Sequence, residues 1–568
     1  MNRFHARRAA RRKVDTAFAI PPEPRTIGRV ARGRQLVDGK FLFSGLLVEE
    51  PGRSIWDVAP HRSDIGREIQ GCTWLDDLAA IGTEPARALA QSWVFDWITR
   101  YGDGRDAGWT PDLTGRRLMR WINHGPFILR RQDEAQRKRF FTSLGQQSLF
   151  LARRWHTAPE GLPRLEAQAG AIHAALLLNG MDEHADRPLA AMQRDCDILV
   201  DADGAIANRN PEDLLQLFSL LVWTTQSLEL TSRAVPDILT GAIDRIAPTL
   251  RALRHTDGGL ARFHGGGRGP EGRLDAALMA SKARPLDKTK RHMGYLRLAF
   301  GRTSLLVDAA QPPTGQASAN AHASTLALEL TSGRRPVIVN CGPGALFGGD
   351  WQRASRATPS HSTLGIDGAS SSDLQVQLGG AAGTELLAKV PANVTCEFPN
   401  GHRQRRVELS HDGYVQTHGM SHGRMLDLSF DGRKLQGEDI LAALDEVDKA
   451  RFDDVLGRSG GEGIAFSLRF HLHPDVAPTF DAARQEIAIT LPSGEEWSFH
   501  HDQTAKLALA PSVYLENGRL KPRQTQQVVL SGRALSYATS VRWSFTKVRD
   551  ASDGGRDLLQ EDLLDAID

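Results

Sequence analysis

At 568 residues the chain exceeds one ordinary hydrophobic core, so two or more domains are expected. A hydrophobic fraction of 40% beside 24% charged residues is that of a globular chain. No apolar run approaches the roughly 20 residues of a membrane helix. The formal net charge of +2 argues against general nucleic-acid binding, although a local basic groove for an acidic ligand remains compatible with it.

The chain opens on MNRFHARRAARRK, which is basic and lacks the apolar core of a secretory signal. Residues 1–20 are therefore expected to form a disordered arm. Residues 21–260 carry helical periodicity. Thr83 caps a helix with Pro85 in its first turn, and Trp93 and Trp97 fall one turn apart on one face. Amphipathic patterns recur near Arg116–Asn123, Glu134–Trp155, Arg164–Leu178, Pro188–Val200, Pro211–Ser227 and Val235–Leu253, with short Gly, Pro or Asp breaks between them. Such hairpins suit a bundle, a solenoid or an α/α toroid.

Residues 261–292 read as a linker, with Gly265, Gly266 and Gly267 in a row. No Lys-Ser/Thr follows these glycines, so they are not read as a phosphate loop. From residue 293 to 568 the apolar period becomes two. Leu296, Leu298 and Phe300 alternate, as do Leu326, Leu328 and Leu330, then Phe466, Leu468, Phe470 and Leu472, and finally Val541, Trp543 and Phe545. Turn signals at Asp412-Gly413, Asp431-Gly432 and Asn517-Gly518 separate the strands. This predicts an antiparallel β-sandwich, with Asp439–Asp454 as a helical or loop insertion. Cys72, Cys196, Cys341 and Cys396 lie far apart without a CxxC and are expected to be free, mostly buried thiols.

Several pieces keep a recognisable order. They are WTPDLTGRRLMRWI (Trp109–Ile122), GYLRLAFGRT (Gly294–Thr303), HASTLALEL (His322–Leu330), RATPSHSTL (Arg356–Leu364), HDGY (His411–Tyr414) and RFHLHP (Arg469–Pro474). Together they resemble the heparinase II/III family of polysaccharide lyases. The resemblance implies an N-terminal α/α toroid, an incomplete barrel of helical hairpins, followed by a C-terminal antiparallel β-sandwich with the substrate cleft between them. It implies β-elimination on a uronic-acid glycan. A base removes the C5 proton, an acid protonates the leaving oxygen, and a further group neutralises the carboxylate.

On that likeness the candidate catalytic residues are His322, His361, His411 and Tyr414. Candidate substrate-binding residues are Asn320, Asn208, Arg209, Trp109, His422 and Arg424. Trp109 is chosen because its loop position suits stacking on a sugar ring, whereas Trp93, Trp97 and Trp121 read as core. Where the family pattern has its first sandwich histidine, this chain has Asn320, which is neither an acid nor a base. The family's metal site would fall on His322, Asn340 and His361 and hold one structural zinc or calcium. A hydrogen-bonded polar cluster is the other reading of that set.

The expected partner is an acidic polysaccharide. The resemblance implies the cell envelope or periplasm, and the missing signal pattern makes the cytoplasm the alternative. Three functions compete: a lyase, a non-catalytic glycan-binding or envelope-assembly protein on the same scaffold, and a glycoside hydrolase using two carboxylates.

Overall fold

The protein is represented by a computed structural model that describes residues 1–58, 63–105, 108–283, 291–376, 384–399 and 405–551. Residues 284–290 of the expected linker and 552–568 of the expected sandwich lie outside the described residues.

The N-terminal half is a succession of helical hairpins. The expected patterns appear as helices at Glu84–Tyr101, Pro111–Asn123, Glu134–Arg154, Leu162–Leu177, Asp186–Leu199, Pro211–Leu230 and Asp237–Ala252. Their ends follow from local chemistry. Pro occupies the first turn of the Glu84, Pro111, Leu162 and Pro211 helices, where its missing N–H is no loss. Asp133 and Asn210 cap two helices through their side chains. Small residues let two helices approach closely: a Cβ at Gly170 would meet Gly115 Cα at 2.3 Å. Trp93, Trp97 and Trp121 are buried, as their helical spacing predicts.

Residues 1–20 are not a disordered arm. Asn2–Ala10 is a helix whose Ala6 and Ala9 are buried, and Gln146 donates to the carbonyls of Ala10 and Arg12. The arginines read as a solvated tail occupy the outer face of this helix, and its alanines supply the packed one.

The C-terminal half holds two large antiparallel sheets. One has eight strands, in the order Val394–Glu397, Arg406–Tyr414, Met420–Leu428, Lys434–Ala442, Ala538–Arg549, Glu496–His501, Glu486–Thr490 and Ala477–Asp481. The other has nine. Eight run Lys506–Tyr514, Arg523–Ala534, Ile464–Leu472, Arg335–Val339, Leu328–Ser332, Thr303–Asp308, Tyr295–Phe300 and Arg291–His292, and Leu364–Ile366 pairs beside Ile464–Leu472. One apolar core draws on both sheets, including Leu328, Leu426, Leu468, Phe470, Trp543 and Phe545. The insertion after Lys434–Ala442 is a helix, Glu446–Arg458.

The expected linker is not a loose tether. Leu260, Ala261 and Phe263 are buried, and Arg273–Ser281 is a further helix. A second core cluster runs from the helical half through Phe263 to Tyr295, Leu306 and Ala327 of the sandwich. The two halves therefore share apolar packing across their junction. No helix among the described residues is long and apolar enough to cross a membrane.

Candidate functional site

A cavity of about 900 Å³ lies between the helical half and the sandwich. A second chamber of about 470 Å³ continues it, sharing Arg29, Arg32, Glu68, Glu212 and Pro270. The helical wall is built by the segment before Pro211–Leu230 and the first turns of that helix, which present Asn208, Glu212, Asp213 and Gln216. The former linker supplies His264, Pro270 and Arg273, and the sandwich supplies Asn320. Gly265 brings these parts together at φ +83°, where a Cβ would sit 3.0 Å from the Asn320 carbonyl oxygen.

The charges of the main chamber are mixed. Arg29, Arg32, Arg116, Arg120 and Arg273 face Glu68, Asp76, Asp77, Glu160, Glu166, Glu212 and Asp213. Most are paired. Asp76 accepts from Arg120 at 2.9 Å and contacts His124 Nε2 at 2.9 Å. Burial pushes Asp76 up, but Arg120 and His124 outweigh that and hold it at about 2. Arg32 reaches Glu68 at 3.0 Å and Asp77 at 3.3 Å, and Arg116 reaches Glu166 at 2.7 Å. Asp213 differs: its Oδ2 accepts from the Asn208 amide at 2.7 Å and no cation pairs with it among the described residues. Burial, with Glu212 and Glu166 nearby, pushes its carboxyl up to about 6.

Asn208 and Asn320 are the two expected site residues that line this cleft. The others are drawn elsewhere. His322 and His361 are buried beneath the cleft, with His322 Nδ1 3.0 Å from His361 Nε2. His361 Nδ1 faces the Ala357 carbonyl at 2.9 Å, which assigns its proton to Nδ1 and makes Nε2 the acceptor from His322. Burial pushes both rings below the usual imidazole range, His361 to about 4. Neither ring is placed to meet a substrate in the cleft.

The same pair does not fit a zinc or calcium ion. The third expected ligand, Asn340, already accepts the Ser362 N–H on Oδ1 at 3.0 Å and brings no negative charge. Among the described residues no cluster of three or more His, Cys, Asp or Glu side chains surrounds a possible ion position. The set is a hydrogen-bonded polar cluster.

His411, Tyr414, His422 and Arg424 lie inside the sandwich and not at its mouth. The Gly413 N–H donates to His411 Nδ1 at 3.0 Å, so His411 Nε2–H donates to His422 Nδ1 at 3.2 Å. His422 Nε2–H in turn donates to Asp439 Oδ1 at 2.7 Å, which also accepts from Arg424 at 2.8 Å, while Trp543 donates to Asp439 Oδ2 at 2.8 Å. Burial raises Asp439, but Arg424 and His422 prevail and hold it at about 2. The Tyr414 hydroxyl is spent on the Leu364 carbonyl at 3.1 Å, and burial pushes it well above the usual phenol range. This is a polar seam that fixes how the sheets stack.

Arg209 is not a substrate ligand either. It donates to the carbonyls of Met293 (3.0 Å), Gly294 (3.1 Å), Ala310 (3.2 Å) and Gln311 (2.9 Å) and to Asp308 (2.5 Å). Its guanidinium lies 4.7 Å from the Tyr295 ring centroid. It fastens the helical half to the sandwich. Trp109 is buried against Trp97 and Phe150, donates to the Tyr101 carbonyl at 2.8 Å and offers no face to a sugar.

Residues that sequence reasoning did not select complete the cleft: His264, Asp213, Arg29 and Arg273. His264 is buried at φ +48°, accepts the His322 N–H on Nδ1 at 3.1 Å and lies 3.5 Å from Asp308 Oδ2. Its position before three glycines was the one available signal.

Comparison with known proteins bears on the whole arrangement. Residues 283–544 match the family described as Heparinase II/III-like, C-terminal. The sandwich is therefore the part of the chain that is similar to heparinase II/III-like C-terminal domains. Across the full chain the fold resembles solved lyases. Heparinase III matches with a TM-score of 0.65 at 11% identity, covering 95% of this chain and 88% of that one. The heparan sulfate lyase HepC of Pedobacter heparinus matches at 0.56 and 13% identity, covering 97% and 88%. The fold of the helical half is thus an α/α toroid. A relative in sequence is FtsZ-localized protein C of Caulobacter vibrioides, 27% identical over 548 residues, covering 96% of this chain and 92% of that protein.

Proposed function

We propose that this protein binds a glycan in the cleft between toroid and sandwich and does not cleave it by β-elimination. One observation carries the reading: the residues lining the main chamber include no tyrosine, and their one histidine, His264, is buried. A base and an acid must both come within hydrogen-bond reach of the scissile unit. Burial, with Arg209 and His322 nearby, pushes His264 well below the usual imidazole range, so it is a poor proton acceptor. On the family resemblance, Asn320 stands where a catalytic histidine is expected. A lyase-like fold with an open cleft and no assembled acid–base pair supports recognition without turnover.

The test is a panel of heparan sulfate, heparin, chondroitin and alginate, followed at roughly 230 nm for unsaturated product and by calorimetry for binding. Binding of at least one glycan with flat absorbance is expected. A rise in absorbance that His264→Ala abolishes would overturn the reading.

The name of the Caulobacter relative records FtsZ localization, and that match spans nearly all of both chains. It supports a further part of the proposal, that this glycan-binding protein works beside FtsZ. A fluorescent fusion that fails to follow FtsZ would remove that part and leave the cleft reading standing.

A further inference from the structure

The cleft's charges give its ligand a more definite character than its shape does; the inference rests on the reading that a glycan occupies the cleft. Once the ion pairs with Arg32, Arg116 and Arg120 are set aside, four charges remain without an ionic partner among the described residues. Two are acids. Asp213 is held by the Asn208 amide alone, and Glu212 accepts the Gly267 N–H at 2.8 Å. Two are cations. Arg273 donates to Gln216 Oε1 at 3.0 Å and lies 5.7 Å from the Trp223 ring centroid, while the Arg29 guanidinium, with Asp77, Glu68 and Glu516 in its surroundings, makes no hydrogen bond or ion pair among the described residues.

Their placement matters. Asp213 and Gln216 stand one turn apart on the Pro211–Leu230 helix, so their side chains share a face. Arg273 sits on Gln216, one turn along the helix from Asp213, and forms no ion pair among the described residues. Each charge stays available to a ligand. A uniformly anionic polymer entering here would meet Asp213 and Glu212 unscreened. A uniformly cationic one would meet Arg273 and Arg29. Either mismatch sets like charges together in a partly enclosed site, where their repulsion is stronger than in water.

We infer that the cleft selects a zwitterionic saccharide, with an ammonium group held by Asp213 and Glu212 and a carboxylate on a neighbouring sugar held by Arg273 and Arg29. The contacts are charge-assisted hydrogen bonds, and the Arg273 fork suits a carboxylate in two-point contact. Asn208 holds Asp213 and Gln216 holds Arg273, so one acid and one cation of the set are fixed in place.

The experiment is calorimetry at low ionic strength with four tetrasaccharides. They are de-N-acetylated hyaluronan (zwitterionic), hyaluronan (anionic), chitosan (cationic) and chitin (neutral). The zwitterionic probe is expected to bind at least about tenfold tighter than each of the others. Asp213→Asn and Arg273→Gln should each erase most of that preference. Melting curves establish that both variants are folded, and Arg29→Gln provides a third variant should Arg273→Gln misfold. If hyaluronan binds as tightly as the zwitterion and the variants change nothing, the charge inference falls while the glycan-binding reading stands. If no tetrasaccharide binds, the glycan-binding reading falls with it.

Discussion

Asp213 carries a penalty at neutral pH that its neighbours do not. Its carboxyl is pushed up to about 6, first by burial and then by Glu212 and Glu166. A folded-state value above the unfolded one means stability that is fully present below the ordinary carboxylate range, near 4, and lost as pH rises through about 6. Replacing Asp213 by Asn removes the charge and keeps a polar group facing Asn208. The variant should be more stable than the parent at pH 7.5, by on the order of 1–2 kcal/mol once solvent screening is allowed for. The gain should shrink by pH 4.5. Paired thermal melts at the two pH values check this, and identical melting at pH 7.5 would sink it. A residue held at such a disadvantage is consistent with a ligand contact that compensates it. In sequence Asp213 was indistinguishable from an ordinary acid in the first turn of a helix, where the backbone dipole favours negative charge. Only the fold shows which way it points and that no cation among the described residues answers it.

Segments between elements hold the two halves together, and Arg209 shows how. It lies just before the Pro211–Leu230 helix at φ +53°, where the Tyr295 hydroxyl donates to its carbonyl at 2.5 Å. Truncation to Ala would leave Asp308 buried beside the sandwich without its cation. Removing one partner of a buried pair costs about 3–5 kcal/mol. We expect Arg209→Ala to lower the melting temperature and to split a single calorimetric transition into separate toroid and sandwich transitions. One undisturbed transition would show that the shared apolar core suffices. Helices and strands were largely legible from their periods, because 3.6 and 2 are imposed by backbone geometry. The polar seam was also partly legible. His411 has the parity of Val407 and Leu409, and His422 that of Met420, Leu426 and Leu428, so both point inward with the apolar residues. What the period cannot tell is that a histidine on an inward face has a buried partner across the strands, as His411 has in His422. The N-terminal helix was missed because its short apolar face, Ala6 and Ala9, is weak beside its arginines. Arg209 and Trp109 were misplaced because a loop position does not reveal which wall closes over it.

Across the whole molecule, burial keeps many histidines neutral. His173, His264, His322 and His411 are pushed well below the usual range, His361 to about 4, and His471 and His473 to about 3. The unfolded chain would protonate the same rings near 6.5. Below that pH the unfolded state binds more protons than the folded one, so stability must fall as pH falls. Each ring contributes up to about 1.4 kcal/mol per pH unit between 6.5 and its folded value. Asp213 acts in the opposite sense between about 4 and 6, but it is one group against seven. Between pH 7.5 and 5.5 Asp76 and Asp439, held at about 2, are ionised in the folded and unfolded chain alike and contribute nothing to the slope. Melting temperature should therefore drop by several degrees between pH 7.5 and 5.5, and a flat profile would contradict the burial of these rings. The same burial makes these imidazoles poor proton acceptors. A base for β-elimination must accept a proton near its working pH, whereas these imidazoles are committed to a structure that fails when they do.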